Sequence, residues 1–243
     1  MPIDNGKYIY HFTNYDTALT YILPKLNLRL SSFLESNDPK ESQTFGFWSI
    51  LENCDDWLRY DIKNEFECYL RNECKQLCFS TDYIIKNRKT SFKIAGYKNP
   101  VMWAHYAAKS KGVCLVINKR LFIDQHKHLI KNRVKYKSML KFPKIDMNKW
   151  KNEKELYFKQ YLLQNANELF FQKNFHWSSE HEIKFIGIET QEFCSIEDSL
   201  YGVYLGPDIN EEHIELAYKL IPESKRIEKV IIDDGRFNSF TLR

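Results

Sequence analysis

Apolar positions in this chain come mostly in short runs divided by polar turns, the pattern of many brief strands rather than a few long helices. "YIYHF" (8–12) predicts a strand, followed by a helical run over about 15–25 and a second strand over 28–31. The polar turn "SNDPKES" closes this opening unit. Over 45–75 the pattern changes: Trp57, Leu58, Ile62, Phe66 and Leu70 recur at the spacing of one helix face. "QLCFST" (76–81) returns to a strand, and a basic loop runs from Lys86 to Lys98. Pro100 and Gly112 then bracket a short helix predicted at 101–109, since Pro suits a first helical turn and Gly a helix end. "GVCLVI" (112–117) is continuously apolar and predicts a strand buried on both faces.

Residues 145–173 predict helix, and "HEIKFIGI" (181–188) alternates as a strand with two distinct faces. "GVYLGP" and "KVIID" supply later strands on either side of a helix near 210–220. The fold class expected is α+β, many short strands around a small core, with insertions near 43–75 and 120–173.

Length and composition narrow this picture. A chain of 243 residues with 43% hydrophobic and 28% charged residues can bury a substantial core, so 1–243 is expected to form a single domain. No apolar run approaches the roughly 18 residues that span a bilayer. "MPIDNGK" lacks the basic-then-apolar layout of a secretory leader, so the expected location is cytoplasmic, with no membrane partner. The six cysteines (54, 68, 74, 78, 114 and 194) then read as reduced thiols, and the spacing of Cys74 and Cys78 is not that of a zinc knuckle. The net charge of +4 is small but uneven: 127–154 holds ten Lys or Arg and two acids, with Tyr136, Phe142 and Trp150 interleaved. Lys131, Arg133, Lys135 and Lys137 are the residues there that would grip nucleic-acid phosphates; the other reading is a solvated amphipathic helix.

Three polar clusters interrupt apolar surroundings. His11-Phe12-Thr13 sits in the first strand, and Tyr106 lies on the short helix. Glu180, Glu182 and Lys184 would share one strand face, because strand side chains alternate with period two. Two carboxylates on one face repel each other, unless they are there to stabilise developing positive charge or the strand is a solvent-facing edge. His176, His181 and Glu182 form a poor metal set, since neighbours on a strand point to opposite faces, and no metal is expected. Neither a Gly-rich phosphate loop nor a Ser-centred nucleophile elbow is present.

The order of these clusters resembles the ADP-ribosyltransferase superfamily, in its poly(ADP-ribose) polymerase and diphtheria-toxin-like branch. That branch has a His on the first strand, a Tyr on the helix after the third strand and a Glu beginning a late strand. His11, Tyr106 and Glu182 fall at those places. The chain is also similar, from Tyr10 to about Gly206, to a bacterial domain family of unassigned function with the pattern "YHFT…NDPxE…CFS…MWAHYA…KGVCL…WxxExE". Ser110 departs from it, standing where relatives have His before Lys-Gly.

The resemblance implies a split β-sheet core with NAD as substrate. His11 would hydrogen-bond a ribose hydroxyl, the Phe12 backbone would hold the nicotinamide amide, and Thr13 would support that turn. Tyr106 would stack on the nicotinamide ring. Glu182 would bind the nicotinamide-ribose 2′-hydroxyl and stabilise the oxocarbenium-like transition state, with Glu180 orienting or deprotonating the acceptor. Ser80 would contact the amide, and Arg29 would either meet an NAD phosphate or cover a sheet edge. Trp177 would anchor the loop that presents the Glu pair; Asn37-Asp38-Pro39 lies near the NAD cleft in the family pattern, but is a turn by composition and is expected to be structural.

The function implied is mono-ADP-ribosyl transfer by a bacterial toxin or anti-phage effector, onto nucleic acid or protein, with a neutralising antitoxin as possible partner. An NAD glycohydrolase on the same fold, and a non-catalytic nucleic-acid-binding module, are the rival expectations.

Overall fold

The computed structural model describes residues 6–42, 56–86, 90–141, 143–145 and 154–243. In chain order it runs β1 (Tyr8–Thr13), α1 (Tyr15–Thr17) passing into a π turn (Ala18–Ile22), β2 (Asn27–Arg29), β3 (Ser31–Ser32), α2 (Pro39–Ser42), α3 (Asp56–Glu73) and β4 (Cys74–Thr81). Next come β5 (Tyr83–Lys86), β6 (Ser91–Ile94), α4 (Pro100–Tyr106), β7 (Val113–Asn118), α5 (Lys119–Gln125), β8 (Ile130–Arg133) and β9 (Lys135–Lys137). After α6 (Lys154–Gln164) and α7 (Ala166–Leu169) come β10 (Gln172–Asn174), β11 (Glu182–Ile188), β12 (Phe193–Ser195) and β13 (Leu200–Leu205). The chain closes with α8 (Glu211–Leu220), β14 (Arg226–Asp233) and β15 (Arg236–Thr241). The fold is therefore α+β.

Among the described residues the main sheet has the order β15-β14-β13-β7-β1-β4-β11-β8, with β3 also on β4. All its pairings are antiparallel except β13–β14, which α8 connects as a crossover. β7 reads as an unbroken apolar run because both its faces are covered. Val113, Leu115 and Ile117 enter one core, while Cys114 and Val116 enter another with Trp103 and Phe12.

The sheet is not uniformly closed. β1 pairs with β7 along its whole length, from Tyr8–Asn118 to Thr13–Val113. Against β4 it pairs only at Ile9–Thr81 and Tyr10–Ser80. Beyond Tyr10 the two central strands have no ladder between them, and a cavity opens there. β4 is meanwhile bound along its other edge to β11, from Glu182–Ser80 to Ile188–Cys74.

Several expectations are adjusted. The helix expected at 101–109 stops at Tyr106 because Ala108, Lys109 and Ser110 are all left-handed, with φ of 47°, 54° and 71°. Gly112 is needed just after them: a Cβ there would sit 2.3 Å from the Thr13 carbonyl oxygen. The helix expected over 145–173 is α6 and α7 only; 146–153 lie outside the described residues, and 172–174 form a strand. The alternation of 182–188 does not mark a solvated face. Ile183 and Phe185 enter the main core, while Glu182 and Lys184 are buried on the opposite face.

The described helices of the two segments expected as insertions share a core. Ile62, Phe66 and Leu70 of α3 form the expected helical face and pack with Phe158, Tyr161 and Leu162 of α6 in a second core. Of the same pattern, the Trp57 and Leu58 side chains, and all of 43–55, lie outside the described residues.

Phe185 meets Phe79 and Phe122 edge-on, with centroids 5.6 and 5.0 Å apart, and joins β11 to the main core. Phe185→Ala is expected to lower the unfolding free energy by about 3–5 kcal/mol, measured by urea denaturation.

Candidate active site

Buried ions dominate the site. Lys184 is fully buried and pairs with the Glu41 carboxylate, also buried, while accepting company from Gln76, to whose Oε1 it donates at 3.0 Å. Two residues back on the same face of β11, Glu182 lies 3.8 Å from Lys184 Nζ. Lys173, on β10, bridges the two carboxylates that sequence spacing brings together: its Nζ is 2.8 Å from Glu180 Oε2 and 2.8 Å from Glu182 Oε2. The Trp177 ring covers that ammonium at 5.6 Å, so this side chain packs on the Glu pair's counter-ion.

Glu180 and Glu182 do reach one place, but not as neighbours on one strand. Glu180 ends a 3₁₀ turn (Phe175–Glu180), His181 is left-handed at φ 48°, and Glu182 begins β11. β4 holds this turn. The Ser80 hydroxyl donates to the Glu180 carbonyl at 2.8 Å, and the Thr81 hydroxyl to the His181 carbonyl at 2.8 Å. Asn99 caps α4 through the Val101 N–H and donates to the Ser179 carbonyl at 2.6 Å, tying the helix of Tyr106 to the turn of Glu180. The Tyr106 hydroxyl then donates to Glu180 Oε1 at 2.5 Å.

The two carboxylates differ in what is left over. Glu180 accepts from Tyr106 and Lys173. Glu182 is ion-paired, yet among the described residues no nitrogen- or oxygen-borne hydrogen bond is aligned on either of its oxygens; only the Cys78 thiol contributes one. Burial would raise its pKa, but Lys184 and Lys173 overcome that and hold it below the ordinary carboxylate value. Glu41 is treated alike: burial pushes it up, while Lys184, Lys173 and Lys40 hold it at about 2. Glu182 is thus an ionised carboxylate with unused acceptor capacity.

Glu182 is also one of the residues that border the opening between β1 and β4. A cavity of about 190 Å³ is walled by His11, Phe12, Cys78, Ser80, Tyr106 and Glu182. His11 Nδ1 is 3.2 Å from the Cys78 carbonyl oxygen, across the gap where the strands part. A carbonyl only accepts, so Nδ1 carries the proton. Burial lowers the ring's pKa despite that bond, leaving a neutral imidazole with Nε2 as an acceptor. The Phe12 ring stands edge-on to Trp103 at 5.1 Å. Asn37, expected as part of a structural turn, also lines the cavity and hydrogen-bonds Tyr106.

Other expected residues stand apart. Thr13 is buried in the β1–β7 ladder and does not line the cavity. Arg29 is half exposed and held at 2.8 Å by Glu35, with Glu192 at 3.9 Å; only Glu35 of this trio reaches the cavity wall. The basic segment is not an amphipathic helix where it is described, since Lys131 and Arg133 lie on β8 and Lys135 and Lys137 on β9. Lys131 and Lys135 are exposed, whereas Lys137 turns in to Gln172 Oε1 at 3.2 Å. Phe142 and Trp150 lie outside the described residues. His176 is exposed and the His181 ring stacks on Tyr83, so these two do not converge with Glu182 as ligands.

Sequence reasoning did not find Lys173, Glu41 or Gln76. The signal for Glu41 was present in the "NDPxE" pattern, whose last residue it is; Lys173 carried none.

A family model described as a protein of unknown function (DUF2971) matches residues 102–185, about a third of the chain. The matched stretch takes in Tyr106, Lys173, Glu180, Glu182 and Lys184 and leaves out His11 and Glu41. No curated protein and no solved structure matches.

Lys184→Met leaves Glu41 and Glu182 buried without a shared counter-ion and is expected to cost about 3–5 kcal/mol of stability at pH 7 by urea denaturation. Carboxylates held below their unfolded pKa contribute stability above that value and lose it as pH falls through the folded one. The wild-type acid loss attributable to Glu41 therefore spans about pH 5 down to about 2. Lys173 and Lys184 are raised despite their burial, so their contribution persists through neutral pH and fades only above the ordinary lysine range. In the Lys184→Met variant the acid loss is expected to begin closer to neutrality.

Proposed function

We propose that the chain is an ADP-ribosyltransferase that takes NAD as substrate, with the nicotinamide-ribose end bound between β1 and β4. The observation that carries this reading is the convergence of His11, Tyr106 and Glu182 on one cavity. These residues, separated by 171 positions at the extremes, are those the superfamily resemblance selects. The opening between β1 and β4 is what a split β-sheet core requires.

The chemistry follows from the geometry. Loss of nicotinamide leaves positive charge on the ribose ring, and a fixed anion in a dry site stabilises that charge more than it does neutral substrate. Glu182 meets both needs, being ionised and having lone pairs to accept a ribose hydroxyl. Its lysine partners keep it charged without occupying those lone pairs in aligned hydrogen bonds. Glu180 is engaged on both oxygens, so it positions Tyr106 and Lys173 while Glu182 touches substrate. Neutral His11 Nε2 accepts a second ribose hydroxyl, and the Tyr106 ring offers its face to the nicotinamide.

The cavity lies below the range of about 300–1,000 Å³ that encloses drug-sized ligands, so one end of the dinucleotide enters and the rest lies across the rim by Ser31, Ser36 and Asn37. The cytoplasmic location expected from the sequence would supply NAD, and the cysteines described (68, 74, 78, 114 and 194) are free thiols.

Glu182→Gln, nearly isosteric, is expected to reduce nicotinamide release from NAD by at least about 100-fold while NAD still binds. His11→Ala is expected to act mainly by raising KM, because it removes an acceptor to bound substrate without removing the stabilising charge. Nicotinamide release assayed by chromatography checks both. Release without transfer to any macromolecule would identify water as the acceptor, and no release by wild type would contradict the reading.

A further inference from the structure

A second cavity, about 280 Å³, is lined by Thr81, Tyr83, Lys86, Arg133, Tyr136 and His181, and it shares Glu182 with the first. Its wall is unlike that of the NAD cavity. Tyr83 and His181 stack at 4.2 Å between centroids with their planes 7° apart, so each ring covers one face of the other and the flat aromatic surfaces that remain are the outer faces of the pair. Burial, with the charge of Arg133, lowers the pKa of His181, so this surface is uncharged at neutral pH. Lys86 and Arg133 bring positive charge, and exposed Lys131 and Lys135 flank Arg133 on β8 and β9. Both acids on this wall are already engaged: Glu182 is ion-paired with Lys173 and Lys184, while Asp82 Oδ1 accepts from Tyr10 at 2.8 Å and from the Gly96 N–H at 3.1 Å, and Asp82 Oδ2 pairs with Lys93 at 3.2 Å. Just outside, exposed Phe92 faces Ile85 across the β5–β6 ladder, and Ile85 is two residues from Tyr83 on the same strand face.

A planar uncharged wall, cationic groups at the rim and a further exposed ring alongside form the chemistry of a stacking platform beside a phosphate track. An acidic peptide would satisfy the cations but has no use for a flat wall. We propose that this second cavity binds one unstacked base of a single-stranded nucleic acid and, resting on the transferase reading above, presents it as the ADP-ribose acceptor. A base held in a duplex stack could not enter, so the strand must be single there. In the transfer, the bond from ribose C1′ to the nicotinamide nitrogen breaks and its electron pair leaves with nicotinamide. A lone pair on a base nitrogen or oxygen forms the new bond to C1′, and the proton displaced from the base passes to water. Glu182 borders both cavities, and on this proposal the acceptor approaches C1′ past that shared residue.

The test is fluorescence anisotropy of labelled single-stranded 12-mers (oligo-rA, oligo-rU, oligo-dA and oligo-dT) without NAD, using the full chain, Tyr83→Ala and Lys86→Gln. Tyr83→Ala is expected to weaken binding by at least about tenfold, as loss of one stacking contact does. Lys86→Gln, on an exposed side chain that folding does not require, is expected to lower the slope of log affinity against log salt by about one. Circular dichroism melting verifies that Tyr83→Ala is folded; if it is not, the Lys86→Gln slope decides. Absence of binding to every oligomer, wild-type binding by folded Tyr83→Ala, an unchanged salt slope, or displacement by a poly-glutamate peptide would overturn the proposal. Nicotinamide release by wild type is measured separately. Release without oligomer binding removes this pocket and leaves the enzyme; Tyr83-dependent binding without release leaves the pocket and removes the transferase.

Discussion

The site depends on one buried alternation of charge: Glu41, Lys184, Glu182, Lys173 and Glu180, linked in that order by ion pairs. These residues come from α2, β11, β10 and the turn before β11, so the network joins segments more than 130 residues apart. Burying so many ions is not an economical way to gain stability, because desolvation offsets most of the Coulomb attraction. What the arrangement does secure is a charge state. A lone carboxylate at the position of Glu182 would be neutralised by burial, and the two lysines beside it hold it ionised while leaving part of its four-fold acceptor capacity.

The second requirement is an opening for a ligand next to that charge, and the sheet provides it where its two central strands part. β1 is committed to β7 and β4 to β11, so after two shared pairs the strands follow different partners. His11 sits at the parting. Its Nδ1 donates to the β4 backbone at the Cys78 carbonyl, and the ring borders the cavity. Tyr106 enters from the other side on a helix fixed at both ends, by the Asn99 cap and by the left-handed run after Ala107. The rigidity of these supports matters, since a site gains from donors and acceptors that need no rearrangement when charge develops.

Much of this was legible in the sequence, for identifiable reasons. Short apolar runs bounded by Gly, Pro and polar turns mark β1, β4, β7 and β11, because strands covered on both faces leave no other pattern. His11, Tyr106 and Glu182 stood out as polar groups set against such runs. The alternation of 182–188 was visible too, but its polar face was readable as solvent, since periodicity does not distinguish water from a buried counter-ion. Lys173 was hidden for a related reason. It lies in a three-residue strand just after two helices, where an apolar pattern continuous with α6 and α7 reads as helix, and only the tertiary fold sets it between the two carboxylates. Glu41 sits in a segment whose turn chemistry is plain and whose burial is not.

Direct localisation of the dinucleotide decides the matter most simply. A crystal structure of the full chain with a non-hydrolysable NAD analogue is expected to show the nicotinamide ring against Tyr106 and the adjoining ribose 2′-hydroxyl within hydrogen-bond distance of Glu182, between β1 and β4. An analogue seated elsewhere on the molecule, or the same cavity left empty at saturating analogue with Glu182 still buried against Lys173 and Lys184, would contradict an NAD-consuming site.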